Sequence, residues 1–588
     1  MPELTLAAEF PGSTEQQWVA LVDGVLRKAG RLAGDAPAGA GVEQLVRPTH
    51  DGIDVQPLYT AGSPGAVPRG PRPPGAGGWD VRQRHAVGDP NEAVLADLEN
   101  GVTSIWLEGA ALDDLPRALD GVLLDLAPVV VEASAAEAFL DLGARHGAAL
   151  LGVLGLDPVG LRARTGDGPD VASVAPLARR AAADHPRVRT VVADALPVHA
   201  AGGSDGQELG FAMASAVASL RALTAAGMDP PTAAGTIEFR LAATAEQFGT
   251  TAKLRAARRL WARVTDACGG AQRMHLHAVG SPTMLTRYDP YVNLLRGTLA
   301  AFAAGTGGAD AVTVAPFDEA IGAPRAFSRR IARNTQLLLL EEAHLARIAD
   351  PAGGSWYVES LTDALARAAW AFFQEIEAAG GAVAALDAGL VAERTAQVRA
   401  RRERDVATRR TPITGVSEFP DLDEVPVARD PLPQPPAGGL PLYRPSAAFE
   451  AHRAASDARL AATGARPRAF LATLGPPAAH TARAGFARNL LRAGGVEPVE
   501  AGPTETADAV VAAFRGSGAR VAVLCSTDAL YRERAAVTAA ALRAAGATRI
   551  LLAGTVPPGV DWADGVDGLL HAGCDALAVI DSIEEVLP

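Results

Sequence analysis

The chain has 588 residues, with 54 Lys and Arg against 67 Asp and Glu and a formal net charge of −13, which argues against nucleic acid and anionic membranes as partners. Its three cysteines, Cys268, Cys525 and Cys574, lie far apart in sequence, which excludes a disulfide scaffold and any cysteine-rich zinc or iron–sulfur site and fits a reducing cytoplasm. At 48% hydrophobic residues the chain can bury large cores, and its length allows two to four domains or one large barrel with a smaller unit.

The opening residues have no basic region followed by an apolar core, so no signal peptide is expected. The longest apolar runs, such as Gly147–Leu156, reach about half of a membrane span. Lysine occurs only at Lys28 and Lys253, which leaves almost no candidate for a catalytic lysine.

The first segment reads as a helix capped by Ser13 or Thr14, with Trp18, Leu21, Val22, Val25 and Leu26 on one apolar stripe. A Gly/Ala/Pro-rich stretch, Ala29–Gly41, leads to an extended piece, Asp51–Tyr59, and to the turn-rich Gly62–Gly78. From Val102 onward, short β-type runs alternate with helical windows: Val102–Leu107, Pro128–Val131, Ala149–Leu154, Arg189–Ala193, Thr236–Leu241, Arg273–Val279 and Ala311–Val314. This alternation predicts a (β/α)8 TIM barrel with one strand unplaced. Helices are expected over Ala326–Ala346 and Leu361–Ala379. The densest proline cluster, within Thr411–Pro445, reads as an interdomain linker. Five further β-type runs follow: Arg468–Leu474, Glu497–Val499, Val521–Cys525, Ile550–Ala553 and Leu577–Ile580. They predict a small flavodoxin-like doubly wound domain. The expected division is a helical arm at 1–45, a barrel at 46–400, a linker at 401–464 and the doubly wound domain at 465–588.

Several stretches carry a family resemblance. Gly52-Ile-Asp-Val-Gln-Pro-Leu-Tyr-Thr60, Trp79-Asp-Val-Arg-Gln83, Asp97-Leu-Glu-Asn-Gly-Val102, Thr251-Ala-Lys-Leu-Arg-Ala-Ala-Arg258 and Asp289-Pro-Tyr291 resemble barrel segments of the methylmalonyl-CoA mutase family. So do Phe317-Asp-Glu-Ala-Ile-Gly322, Ser328-Arg-Arg-Ile-Ala-Arg-Asn-Thr-Gln336 and Asp350-Pro-Ala-Gly-Gly-Ser-Trp-Tyr-Val-Glu359, and the Trp18 helix resembles the family's N-terminal arm. The resemblance implies a radical carbon-skeleton exchange between succinyl-CoA and (R)-methylmalonyl-CoA, with adenosylcobalamin held between barrel and C-terminal domain. In its bacterial heterodimers a large chain carries the chemistry and a homologous small chain has lost it.

The family's cobalamin loop, Asp-x-His-x-x-Gly, supplies a histidine to cobalt and an aspartate that fixes its tautomer. Aligned on Gly485, this chain has His480 at the aspartate position and Ala482 at the ligand position, and a methyl group cannot coordinate a metal. The family's Ser-x-Leu becomes Cys525-Ser526-Thr527, and its Gly-Gly becomes Ala553-Gly554, with a Cβ where backbone approach was needed. In the barrel, the aromatic segment lining the family's active site is replaced by the shorter Arg72–Gly78. The Tyr-His pair that meets the thioester becomes Leu196-Pro197, with His199 two residues on. Arg273-Met-His-Leu-His277 resembles a strand that contacts substrate or cofactor; its other reading is a polar core in which Arg273 and His275 share one inward face. Asp318-Glu319 reads as a helix cap and Gly305-Thr-Gly-Gly308 as a turn.

The expectation is therefore a small, non-catalytic chain whose homologous large partner binds both acyl-CoA and adenosylcobalamin, with no cofactor or metal on this chain. The residues left with usable chemistry are His199, Arg273 and His275 in the barrel, and His480, Gly485, Ser526 and Gly554 in the second domain. Two alternatives stand beside it: a chain active by itself through relocated residues such as His480 and His199, and a non-enzymatic protein that handles cobalamin or acyl-CoA. Fold alone does not separate the three.

Overall fold

The computed structural model describes residues 12–65, 78–86, 91–109, 115–433, 436–556 and 565–587. Helix α1 (Glu15–Lys28) starts at Thr14, whose side chain accepts from the Gln17 amide while Gln17 reaches back, a capping box. Its expected apolar stripe divides. Leu26 is buried and Asp23 accepts from the amides of Gly39 and Gly41, whereas Leu21 and Val25 face outward, 70% and 65% exposed.

Eight parallel strands close the expected barrel: β1 (Asp80–Ala86), β2 (Ser104–Glu108), β3 (Val129–Val130), β4 (Gly152–Leu156), β5 (Val188–Asp194), β6 (Ile237–Ala243), β7 (His275–Gly280) and β8 (Ala311–Thr313). The ring shuts where β8 pairs with β1, Ala311 opposite Asp80. The strand that apolar patterning leaves unplaced is β1. Its inward positions carry Arg82 and Arg84, so no apolar run marks it.

Those inward charges are paired across the barrel. Arg82 donates to Ser104 Oγ (3.0 Å) and to Glu238 Oε1 (3.0 Å), with Arg82 and Glu238 both fully buried. His275 Nδ1 lies 3.1 Å from the other Glu238 oxygen, and His277 bonds Thr313 through Nε2 at 2.8 Å. Burial opposes ionisation of Glu238, but Arg82 and His275 overcome it and hold the carboxyl well below the usual range. Burial, with Arg82 nearby, keeps His277 neutral. An apolar layer from five strands lies above: Trp106, Val130, Val153, Val192 and Val279. The Arg240 guanidinium sits 4.2 Å over the Trp106 ring. Arg82, Glu238, His277 and Trp106 are all buried inside the barrel.

Helix α2 (Pro158–Thr165) follows β4, capped by Asp157. Helices α3 (Leu196–Ala200) and α4 (Asp205–Ala225) follow β5, and α5 (Gln247–Ala267) follows β6. Helix α6 (Val292–Thr306) precedes β8, and α7 (Ala326–Leu337) follows it. The α7 helix was expected to reach Ala346, but it continues as one π turn, Leu338–Glu342, and ends before His344 adopts a left-handed conformation (φ 55°). Helix α8 (Trp356–Ala378) covers the outer faces of α4 and α5. The interval expected as a linker contains the end of α9 (Leu390–Ala407) and the whole of α10 (Ala447–Thr463), with irregular chain between them.

The second domain is a parallel sheet in the order β10-β9-β11-β12-β13, made of β9 (Arg468–Thr473), β10 (Glu497–Glu500), β11 (Val521–Cys525), β12 (Arg549–Ala553) and β13 (Gly568–Leu570). This is the flavodoxin-like order, with its switch point between β9 and β11. Leu577–Ile580, expected as the fifth strand, instead lies in α12 (Ala576–Glu584). Asp575 caps that helix and Ala576, Ile580 and Ile583 are buried at helical spacing. The domain docks on the loop after β7: Glu450 accepts from the Arg287 amide (2.8 Å), and the Tyr288 hydroxyl donates to Asp457 (2.7 Å). Among the described residues no helix is long and apolar enough to cross a membrane.

Removing one partner of a buried ion pair strands the other charge. Glu238→Ala is therefore expected to cost the barrel about 3–5 kcal/mol, read as a lower midpoint in urea unfolding followed by circular dichroism. A loss below about 1 kcal/mol, the range of a surface pair, would show that the axial pair does not hold the barrel.

Candidate functional site

A TIM barrel places its chemistry at the carboxyl ends of its strands. Here that end holds a cavity of about 850 Å³, with Trp106 and Arg240 on its floor and Val131, Leu156, Leu161, Leu196 and Val279 on its walls. Pro436–Leu442 of the interdomain connection forms its roof. Three arginines face it and each is paired. Arg84 meets Glu319 and Glu108, Arg164 bridges Asp157 (2.8 Å) and Asp194 (2.9 Å), and Arg240 bonds Asp194 (3.2 Å). Burial pushes Asp157 up to about 6, with Asp194 adding to the rise and Arg164 opposing it, and burial likewise raises Glu108. Asp318-Glu319 is not a helix cap. It sits in a turn, where Asp318 accepts from Arg429 at 2.6 Å and Glu319 reaches Arg84.

His199 lines the cavity, but from α3 rather than from a strand, so strand alternation does not relate it to Pro197. Its Nε2 bonds Ser281 Oγ at 2.7 Å and its Nδ1 lies 3.7 Å from Glu208. Burial, with Lys253 nearby, pushes its pKa down to about 3, so the ring is neutral. The Ser281–His199–Glu208 sequence has the outline of a nucleophile, a base and an orienting acid. Its surroundings oppose that use. Ser281 is fully buried and bonded to Thr283 (2.9 Å), while Glu208 is held by Lys253 Nζ (2.7 Å) and the Ala242 amide (2.6 Å). The group ties α3, α4, α5 and the loop after β7 together. Sequence reasoning missed this network; its one available signal was Lys253, a lysine where the chain otherwise uses arginine.

Arg273 and His275 are not at this mouth. His275 opens β7 and reaches Glu238 inside the barrel, whereas Arg273 precedes the strand, is mostly exposed, and pairs with Asp310. Of the two expected to share an inward face, only His275 points inward. The Arg72–Gly78 interval lies, apart from Gly78, outside the described residues.

In the second domain, α11 (Pro477–Ala493) begins directly after the β9 loop, so His480, Ala482 and Gly485 are all helical. His480 is buried, Ala482 is exposed, and the space beside Gly485 is open. Doubly wound sheets take ligands where the strand order reverses, at the carboxyl edge between β9 and β11. Arg483 enters from the side at that edge. It donates to the Ser526 carbonyl (2.7 Å), pairs with Asp528 and lies 5.0 Å over the Tyr531 ring. Gly554, at φ 129°, yields to it: a Cβ there would stand 2.9 Å from the Arg483 Cζ. The Ser526 side chain is turned inward, donating to the Leu474 carbonyl (2.9 Å), and the Tyr531 hydroxyl accepts from the Ser526 amide (2.9 Å). Of the four residues expected here, Ser526 and Gly554 meet at this edge, and Arg483 of the same chain occupies the space beside them. The donor set does not fit cobalamin: Ala482 has no ligand atom, and Arg483 takes the space beside Gly554.

Residues 167–433 match the family model described as methylmalonyl-CoA mutase. The methylmalonyl-CoA mutase small subunit of Streptomyces virginiae is 54% identical over 98% of this chain and 97% of its own length. That of Propionibacterium freudenreichii subsp. shermanii is 38% identical over 99% and 96%. A protein of Rhizobium meliloti named methylmalonyl-CoA mutase is 31% identical, but over 66% of this chain and 62% of its own length. With a relative 54% identical over nearly the whole length of both chains, this chain belongs to the methylmalonyl-CoA mutase family.

Proposed function

We propose that the chain is the small, non-catalytic subunit of a cytoplasmic, adenosylcobalamin-dependent methylmalonyl-CoA mutase. In this reading it forms a heterodimer with a homologous large chain, which binds the cofactor and acyl-CoA and interconverts succinyl-CoA and (R)-methylmalonyl-CoA. The observation that carries the reading is Arg483 in the switch-point cleft beside a ligand position that is alanine. The filled barrel axis supports it, because no linear thioester can thread past Arg82, Glu238, His277 and Trp106. So do the cavity arginines, whose charges are already met by this chain's own carboxylates.

A subunit kept for assembly presents apolar surface to its partner. Leu21 and Val25 on α1, and Tyr291, Leu295 and Leu299 on one face of α6 and its start, are exposed and apolar. These are the surfaces the large chain covers in this reading.

Titrating the isolated chain with adenosylcobalamin is expected to give the spectrum of the free cofactor at equimolar ratio; a stoichiometric, histidine-ligated spectrum would overturn the reading. Co-expression with a large chain should yield a one-to-one complex by light scattering, and a monomer whose mass is unchanged by the large chain would be inconsistent with it. Within the complex, His199→Ala and His480→Ala are each expected to leave turnover within about three-fold of normal, far from the loss of two or more orders of magnitude that removal of a catalytic group brings. A hundred-fold loss with assembly intact would mean that this chain carries chemistry.

A further inference from the structure

We infer that Gly438–Tyr443 is a strap that covers part of the barrel-mouth cavity, and that when it lifts the cavity admits a small, uncharged, apolar-faced molecule more readily. Two backbone bonds anchor the strap: the Leu440 amide donates to the Ala163 carbonyl (2.7 Å) and the Tyr443 amide to the Ala200 carbonyl (2.7 Å). Both acceptors belong to the last turns of helices, α2 and α3, where carbonyls have no partner within the helix. The strap therefore supplies the donors that two helix ends facing the cavity lack.

Just ahead of the first anchor the contact is backbone on backbone. A Cβ on Gly439 would stand 2.3 Å from the Arg164 carbonyl carbon and 2.4 Å from the Ala163 oxygen, and one on Gly438 would stand 2.5 Å from the Thr165 oxygen. From the other side, a Cβ on Gly166 would stand 2.4 Å from the Gly438 oxygen. Three glycines meet at one seam, and none of the three tolerates a side chain while the strap is down. Its side chains add a limited hold. Leu440 packs on the barrel core as a partly buried residue, while Pro441 and Leu442 are exposed. An element held by two edge hydrogen bonds and by the partly buried Leu440 and Tyr443, whose ring lies beside Gly202, opens locally without unfolding what it covers.

The lining sets the class of guest. The volume is that of a small-molecule site. Arg84, Arg164 and Arg240 are each paired with carboxylates, so an anion finds no uncommitted cation among the described residues of the lining. The walls are mainly apolar, with Glu132, Ser173 and Thr283 among them, and Trp106, Val130, Val153 and Val192 lie packed below, so a guest approaches from the side the strap crosses. This inference is independent of the subunit assignment.

The test uses the full chain, Gly439→Val, and two related probes: neutral N-phenyl-1-naphthylamine and anionic 8-anilinonaphthalene-1-sulfonate. In Gly439→Val, hydrogen exchange at the Leu440 and Tyr443 amides should quicken at least ten-fold while the barrel strands keep wild-type protection. The neutral probe should then bind one per chain, at least five-fold more tightly than to wild type, with no gain for the anionic one. Adding Leu161→Trp, which fills the cavity, should abolish the gain, and Gly438→Ala should move exchange and binding in the same direction by less. Unchanged exchange, faster exchange without a gain in neutral-probe binding, an equal gain for the anionic probe, or a gain that survives Leu161→Trp would each overturn the inference.

Discussion

The Arg82–Glu238 pair at the barrel axis is the interaction on which the rest of the barrel depends. Neither charge can be left alone in a closed ring of strands, so both remain, and their bulk closes the passage between the two ends of the barrel. Two consequences run upward from it. His277 is kept neutral beside Arg82 and turns its Nε2 to Thr313 on the neighbouring strand, and Trp106, edge-on to the His277 ring at 5.3 Å, supports Arg240 above it. The mouth cavity is therefore a blind pocket with an arginine and an indole as its floor.

The same physics decides how much was legible in the sequence. Seven barrel strands announce themselves because their outward residues are apolar and pack on helices, even where β6 and β7 turn Glu238, Arg240, His275 and His277 inward, whereas β1 carries Gln83 and His85 outward. The remaining strand, β1, is as regular as the others, but its inward residues are charges satisfied by Glu238, Ser104, Glu319 and Glu108 on other parts of the barrel, and such partners leave no local trace. Leu577–Ile580 misled for a different reason. Four apolar residues suit a buried strand or a buried helix equally, and the deciding feature, the Asp575 cap, lies outside the run. The nearby Gly568–Leu570, three residues long, does the work of the fifth strand.

The site residues divide along similar lines. Absence was readable: alanine at position 482 has no ligand atom in any fold. What occupies the cleft was not readable, because Arg483 is one arginine among many until the sheet brings it over Gly554 and Tyr531. His199 could be numbered but not oriented, and a short helix rather than a strand sets its direction. Lys253 stood out only by rarity; its partners Asp205 and Glu208 lie 45 or more positions away in sequence and become neighbours through the packing of α4 on α5.

Both domains close in the same manner. In the barrel a guanidinium lies over an indole, Arg240 on Trp106, and in the doubly wound domain one lies over a phenol, Arg483 on Tyr531. Arginine suits this role, because its planar head stacks on a ring while its edge still bonds carboxylates or carbonyls, and it stays charged at every accessible pH. A cleft filled in this way is hard to empty by single substitutions. Removing Arg483 strands Asp528 and the Ser526 carbonyl, and removing Arg240 takes one of the two cations from Asp194. Such an arrangement preserves the two-domain fold while Arg483 occupies the switch-point cleft, which is the physical basis for reading this chain as a partner within a mutase rather than as its catalyst.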